Sequence, residues 1–337
     1  METLNAKLLI AQAKERLEGK DARKMAFFHT GIIAAFALVV TVLQYVLQLG
    51  IAETGGLSGM RTIALLQTMQ TVLQWANMIL APFWNLGFIY VTLLWARDKY
   101  ARKEDLLTGF HRISPYIGLV LLRGVLIGAV LIVAVYASSA VFMMLPASQT
   151  ITDIAMQTNV DPEAIAEYLY QMTDAQTLEL MRAMIPMLVI SAVLAVAILV
   201  PLMYRFRMAE YVILNQKGMR ALPAMIVSVA LLRRRCWKLF KLDLHLWWYY
   251  ALKVICILLC YLELILGAMG IALPLGTDGA AFAAYGLYLL GLLAVETLFR
   301  PQVQTTYGVL YETCVAAGPV QKANPPAKPQ SVPWDEQ

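Results

Sequence analysis

Charge, cysteine and histidine are all scarce in this chain. Only 15% of its 337 residues are charged, four are Cys and three are His. Soluble domains carry about a quarter charged residues, so an ordinary water-facing globule is a poor fit. Cys236, Cys256, Cys260 and Cys314 all fall away from the segments expected outside the cell, which argues against a disulfide framework. Cys256 and Cys260 share a helix face. No His or Cys partner stands at ligand spacing, so buried apolar thiols fit better than a metal pair. His29, His111 and His245 lie near expected interfaces. No paired-His motif, GxSxG elbow, Walker loop or Cys quartet occurs. The loop from Gly50 to Gly59 lacks phosphate-loop spacing. Catalysis, a metal and a cofactor are therefore not expected.

What the chain has is apolar length: 60% of its residues are hydrophobic. A bilayer crossing takes about 20 mostly apolar residues. Such stretches run near 26–49, 76–96, 116–143, 184–204, 247–272 and 281–300. Their length suits helices, which pair their own backbone groups in lipid, rather than the short alternating strands of a barrel. The expected fold is all-α, a polytopic membrane bundle of six transmembrane helices. An amphipathic helix (Leu4, Leu8, Leu9, Lys14, Arg16, Glu18) fills residues 1–25. It is too polar for a signal peptide and is expected to be retained.

Lys and Arg set the orientation. They crowd segments 1–25, 97–114 and 205–242 and recur as Arg300, Lys322 and Lys328, whereas the other side has only Arg61 and Arg182. This predicts a bacterial cytoplasmic membrane protein with both termini inside. The net charge of +5 reflects this asymmetry and is no sign of nucleic-acid binding. The six-helix domain covers 26–317, with an outer helical insertion at 146–182 and a cytoplasmic basic segment at 205–246. The insertion is acidic. Asp161-Pro162 and Thr173 with Gln176 each look like a helix start, which predicts two short outer helices. These form either a lid over an outer cavity or a hairpin on the membrane surface. The Pro-rich tail 318–337 has no periodicity and is expected to be disordered.

Three groups of residues are candidate sites. Gln67, Gln70, Gln74 and Asn77 share one helix face, with Gln44 and Gln48 one turn apart on the first span. They line a wet outer vestibule, bond between helices, or project above the lipid. Within the spans, Arg123, Lys253 and Glu296, with Arg300 at an end, lie at a similar inner depth, and Glu263 lies deeper in span five. Glu296 and Arg300 stand at i and i+4 and can pair. This cluster is either an anion or headgroup site or a set of snorkelling cations and structural ion pairs. Lastly, Arg233, Arg234, Arg235, Lys238 and Lys241 interleave with Trp237 and Phe240. That pattern suits anionic headgroups, at about 1 kcal/mol per cation, and equally suits the insertion signal alone. Trp247 to Tyr250 read as an interfacial aromatic belt. Pro82, Pro186 and Pro201 are expected to kink their helices. Gly124 and Gly128 form a small-residue pair suited to close helix packing.

Several stretches carry a resemblance. They are Tyr211-Val212-Ile213-Leu214, Ala224 and Ser228 with Leu231-Leu232, Leu239-Phe240 with Leu242, Leu244 and Trp247, and Pro301 followed by Thr305, Tyr307 and Leu310-Tyr311-Glu312. The first half adds Pro82 with Gly87, and Gly109-Phe110. Together they resemble a bacterial integral-membrane family labelled domain of unknown function 975. The usual Met-Lys-Gly of that family is replaced here by Arg233-Arg234-Arg235, and a Pro-Tyr pair by Pro301-Gln302. The resemblance implies a six-span architecture and no catalysis. The leading expectation is a non-enzymatic module binding lipid, especially anionic lipid, or a protein partner at its basic inner face. The alternative is a small-molecule or lipid transporter component.

Overall fold

Helices account for all the regular structure in a computed structural model of the protein, which describes residues 5–53, 57–145, 148–157, 170, 172–216, 218–233, 235–261 and 276–317; no strand occurs among them. The helices are α1 (Ala6–Leu17), α2 (Ala22–Glu53), α3 (Leu57–Ala96), α4 (Thr108–His111), α5 (Ile113–Phe142), α6 (Ser148–Gln157), α7 (Asp174–Phe206), α8 (Ala209–Asn215), α9 (Ala221–Leu232), α10 (Cys236–His245), α11 (Trp247–Cys260) and α12 (Gly276–Ala316). A 3-10 turn, Lys103–Leu107, precedes α4.

Among the described residues, five stretches are long and apolar enough to cross a membrane: Ala22–Leu43, Gln67–Ala96, Ile113–Phe142, Gln176–Asn215 and Ala283–Ala316. This is consistent with a multi-pass membrane protein. A sixth is reached only if α10 and α11, bent by 59° at their junction, count as one span. The fifth expected span, 247–272, is helical through Cys260, and its remainder, with Glu263, lies beyond the described residues. So do the tail 318–337 and the Asp161-Pro162 helix start.

The insertion differs from expectation at its second helix. Thr173 and Gln176 do form a capping box: the Gln176 N–H donates to Thr173 Oγ1 at 3.4 Å, and the Thr173 N–H donates to Gln176 Oε1 at 3.0 Å. The helix that starts there does not stop. It continues as α7 through Phe206 for 33 residues, past Pro186 and Pro201. Leu178, Leu180 and Met181 extend the apolar run before the expected span begins, so nothing breaks the helix between them.

The described residues form two compact units, one from Met1–Ile117 and Met208–Gln337, the other from Gly118–Arg207. In the second unit, α6 packs on α7 and Ser138 shares a hydrogen bond with Ser191, joining α5 to α7. A Cβ at Gly124 or Gly128 would meet nothing within 4 Å. The expected close packing at that pair is therefore not realised among the described residues.

In the first unit α12 is central, contacting α1, α2, α3, α9 and α11. With 41 residues it is about 60 Å long at 1.5 Å per residue, twice a hydrocarbon core of about 30 Å. α3, with 40 residues, is nearly as long. Their C-terminal halves are packed. Phe83 through Ala96 of α3 and Val295 through Cys314 of α12 hold many of the buried residues, with Ile213, Leu232 and Leu242 from α8, α9 and α10. The chain after α3 folds back along it. A Cβ on Gly87 would sit 1.7 Å from the carbonyl oxygen of Leu106, and one on Gly109 would sit 2.0 Å from that of Phe83. Only glycine admits this backbone-on-backbone approach. α1 docks on α12, α10 and α3 and buries Ala6, Leu9 and Ala13. Gly19, at φ +73°, then reverses the chain into α2.

Candidate lipid interface and buried charge cluster

α2 and α3 are clasped by one reciprocal contact. The Trp84 indole N–H donates to the carbonyl of His29 at 3.0 Å, and His29 Nε2 lies 3.1 Å from the carbonyl of Trp84. The rings stack at 5.6 Å. A carbonyl only accepts, so Nε2 carries the proton and Nδ1 is left as an acceptor. That acceptor faces Arg300 Nη1 of α12 at 3.3 Å.

Arg300 is the hub of the cluster. Its Nη2 donates to Asn85 Oδ1 at 2.8 Å, and its guanidinium lies over the Phe88 ring at 4.6 Å. Nη1 also pairs with Glu296 Oε2 at 3.2 Å, one turn back on α12. The other oxygen of Glu296 accepts from Lys253 Nζ at 2.8 Å and from the Tyr249 hydroxyl at 2.9 Å, both on α11. Glu296 is 5% exposed, so both its oxygens are satisfied out of water. An unpaired charge there would be costly. The group thus ties four helices, α2, α3, α11 and α12, through one carboxylate and one guanidinium.

Of the four inner charges expected together, the structure joins Lys253, Glu296 and Arg300. Arg123 belongs to the other unit, where its Nη2 donates to the carbonyl of Phe206 at 2.7 Å. His29, Asn85 and Tyr249 are partners the sequence reading did not assign. The available signal was a lone Asn and a lone His inside otherwise apolar stretches.

The aromatic run splits by helical geometry. Successive residues turn by about 100° around a helix, so four in a row cannot all face outward. Trp247 is exposed, Trp248 packs edge-on against Phe299 at 4.8 Å, Tyr249 is buried on Glu296, and Tyr250 shares a hydrogen bond with Tyr307.

The basic segment also divides. Arg235 Nη1 donates to the carbonyl of Cys314 at 3.1 Å and so secures the start of α10 to the end of α12. Arg233 and Lys241 are exposed, Lys238 is half-buried, and Arg234 lies outside the described residues. α10 buries Leu239 and Leu242. Its opposite stripe carries Trp237 (66% exposed) stacked on Phe240 at 5.1 Å, then Leu244, and beyond its end Trp247. A helix of ten residues, about 15 Å long, cannot cross a bilayer, yet this one turns large apolar groups outward.

On the outer amide face, Gln67 and Gln74 are exposed and Gln70 is half-buried. The side chains of Gln44, Gln48 and Asn77 lie outside what the structure describes. All four cysteines are free thiols, and no group of His, Cys, Asp and Glu suited to a metal occurs among the described residues. Comparison with protein families, curated proteins and solved structures finds no match to this chain.

Proposed function

We propose that this chain is a six-span protein of the bacterial cytoplasmic membrane, with both termini cytoplasmic, and that it is a non-enzymatic module binding anionic lipid at its basic inner face. The observation that carries the reading is the outward stripe of α10: Trp237, Phe240 and Leu244, with Lys241 beside them, Arg233 ahead of them and Trp247 beyond. Aromatic groups favour the headgroup level, where one end of a ring is apolar and the other wet. Cations there attract anionic lipid at about 1 kcal/mol each. In this reading α10 lies in the inner interface, and the 59° bend starts the fifth crossing.

The test uses the full chain in nanodiscs carrying brominated acyl chains. Trp237 fluorescence, isolated by difference against Trp237→Phe, should be strongly quenched. In mixed nanodiscs, Arg233→Gln with Lys241→Gln should lower the share of anionic lipid that stays bound in native mass spectrometry. Unquenched Trp237 together with unchanged lipid selectivity would reject the reading.

A further inference from the structure

A second basic feature lies at the elbow where α1 turns into α2. There a cavity of about 450 Å³ opens between the elbow and α12. This is within the range of small-ligand sites, about 300–1,000 Å³. One wall is cationic, with Lys14, Lys20, Arg23 and Lys24, and the other carries Leu298 and Gln302 of α12. The two acids in the lining, Glu18 and Asp21, do not cancel these cations. Asp21 is taken by Lys24 at 2.9 Å, and Lys20 is held by Asp98, outside the cavity, also at 2.9 Å. That leaves Lys14 and Arg23 facing Glu18, and among the described residues neither cation has an ion-pair partner. The 32-residue α2 begins at this elbow, its Ala22 N–H taken by the Lys20 carbonyl at 2.8 Å, and its end adds a partial positive charge.

The elbow is also built to hold its shape. Lys20 Nζ is nearly buried between Asp98 Oδ1 and the Trp95 carbonyl at 3.5 Å. α1 is pinned to α12 through Leu9 and Ala13, and Ala22 at the start of α2 is buried. A ligand would therefore meet a fixed backbone carrying the exposed side chains of Lys14 and Arg23. Leu298, half exposed on the opposite wall, offers an apolar surface that a bare ion does not need and a lipid glycerol end does.

We propose that this cavity binds a phosphate-bearing anion, with Lys14 and Arg23 on the phosphate oxygens and Leu298 against the apolar part of the same molecule. Only the lipid source of that phosphate rests on the function proposed above; the anion site itself does not.

The experiment compares the wild-type chain with Lys14→Gln/Arg23→Gln and with the charge-keeping Lys14→Arg/Arg23→Lys. One arm measures phosphatidylglycerol retention from nanodiscs mixed with phosphatidylcholine. The other titrates glycerol phosphate and inorganic phosphate in uncharged detergent and reads protection against heating. The Gln variant should bind at least tenfold more weakly, and the charge-keeping variant should match wild type. A loss confined to the nanodisc arm identifies a lipid headgroup as the ligand; a loss in the soluble arm identifies a free phosphate compound. Absence of selectivity by the wild-type chain in both arms, or equal binding by the Gln variant, overturns the proposal. Arg233→Gln/Lys241→Gln, which probes α10, should leave this site untouched, so the two proposals fail separately.

Discussion

Replacing Gly87 by Ala is the sharpest test of how the basic end is assembled. The new Cβ would lie 1.7 Å from the Leu106 oxygen, 2.6 Å from its carbonyl carbon and 3.1 Å from its Cα. All three are backbone atoms, so no rotamer relieves the clash, and the 3-10 turn must retreat by more than an ångström. Overpacking of this kind costs about 1–3 kcal/mol. The retreat also begins to expose Leu106, whose full burial is worth about 1.5–3 kcal/mol. A net loss of about 3 kcal/mol follows, against a typical domain stability of about 5–15 kcal/mol. Gly128→Ala is the control. Its Cβ meets nothing within 4 Å, so relief of the glycine penalty should leave it neutral or gain about 0.5–1 kcal/mol. Denaturant unfolding of both variants in the same uncharged detergent reads the difference. If Gly87→Ala unfolds within about 0.5 kcal/mol of wild type, or if Gly128→Ala is the worse of the two, the fold-back of residues 103–111 onto α3 is wrong.

Glu296→Gln should cost about 3–5 kcal/mol in the same assay, because it strands a buried guanidinium, whereas Lys253→Met should cost under about 1 kcal/mol, its side chain being more than a third exposed; equal effects would contradict the hub geometry. Arg235→Gln should lose about 1–3 kcal/mol with the bond to Cys314, and Arg233→Gln about 0.5 kcal/mol or less; reversed order in unfolding midpoints would show that the two arginines are misassigned. The Asp98 carboxyl is held below its ordinary value, first by the hydrogen bond from Lys20 and then by the charges of Lys20 and Arg16. A depressed carboxylate contributes stability that is present above its unfolded pKa, about 3.9, and is lost as pH falls through the folded value. Protection against amide exchange at the elbow, corrected for the intrinsic pH dependence of exchange, should therefore fall on acidification through that range, and Asp98→Asn should abolish the dependence; an unchanged acid response in the variant would assign it to another group.

The long apolar runs and the Glu296–Arg300 spacing were legible because each is a local pattern, read within one helix. The capping box at Thr173 was legible for the same reason, whereas how far its helix runs depends on the unbroken apolar stretch that follows, through Phe206. His29, Asn85 and Tyr249 were not assigned, since their partners come from other helices and no spacing along the chain brings Arg300 to His29. Gly124 and Gly128 carried the right composition for close packing without a neighbour to receive them. Gly87 and Gly109 were noticed only as part of a resemblance, and the physical reason for them, a backbone pressed on a backbone, exists only once the chain has folded back. Tyr211, Leu232, Leu239, Tyr307 and Tyr311, which carry the same resemblance, are buried. Phe240, Leu244 and Trp247, which also carry it, are exposed on the outward stripe of α10 or just beyond its end, so the likeness covers both the packed core and that stripe.

The placement of that core has a physical cause. Lipid tails are as apolar as leucine, so burying one span against another gains no hydrophobic free energy. The apolar stretches accordingly leave Val42, Leu121, Val133, Leu188 and Val193 on their surfaces. The packed residues lie instead at the C-terminal halves of α3 and α12, Phe83 through Ala96 and Val295 through Cys314. There they gather α1, α8, α9 and α10 into a packed body, while Glu296 and Arg300 hold α2, α3, α11 and α12 in register. The chain thus carries a packed body beside its apolar, outward-facing stretches. Its surface cations, Arg233 and Lys241 on one side and Lys14 and Arg23 on another, stand on elements whose opposite faces are buried, so their spacing is set by the core and not by the membrane.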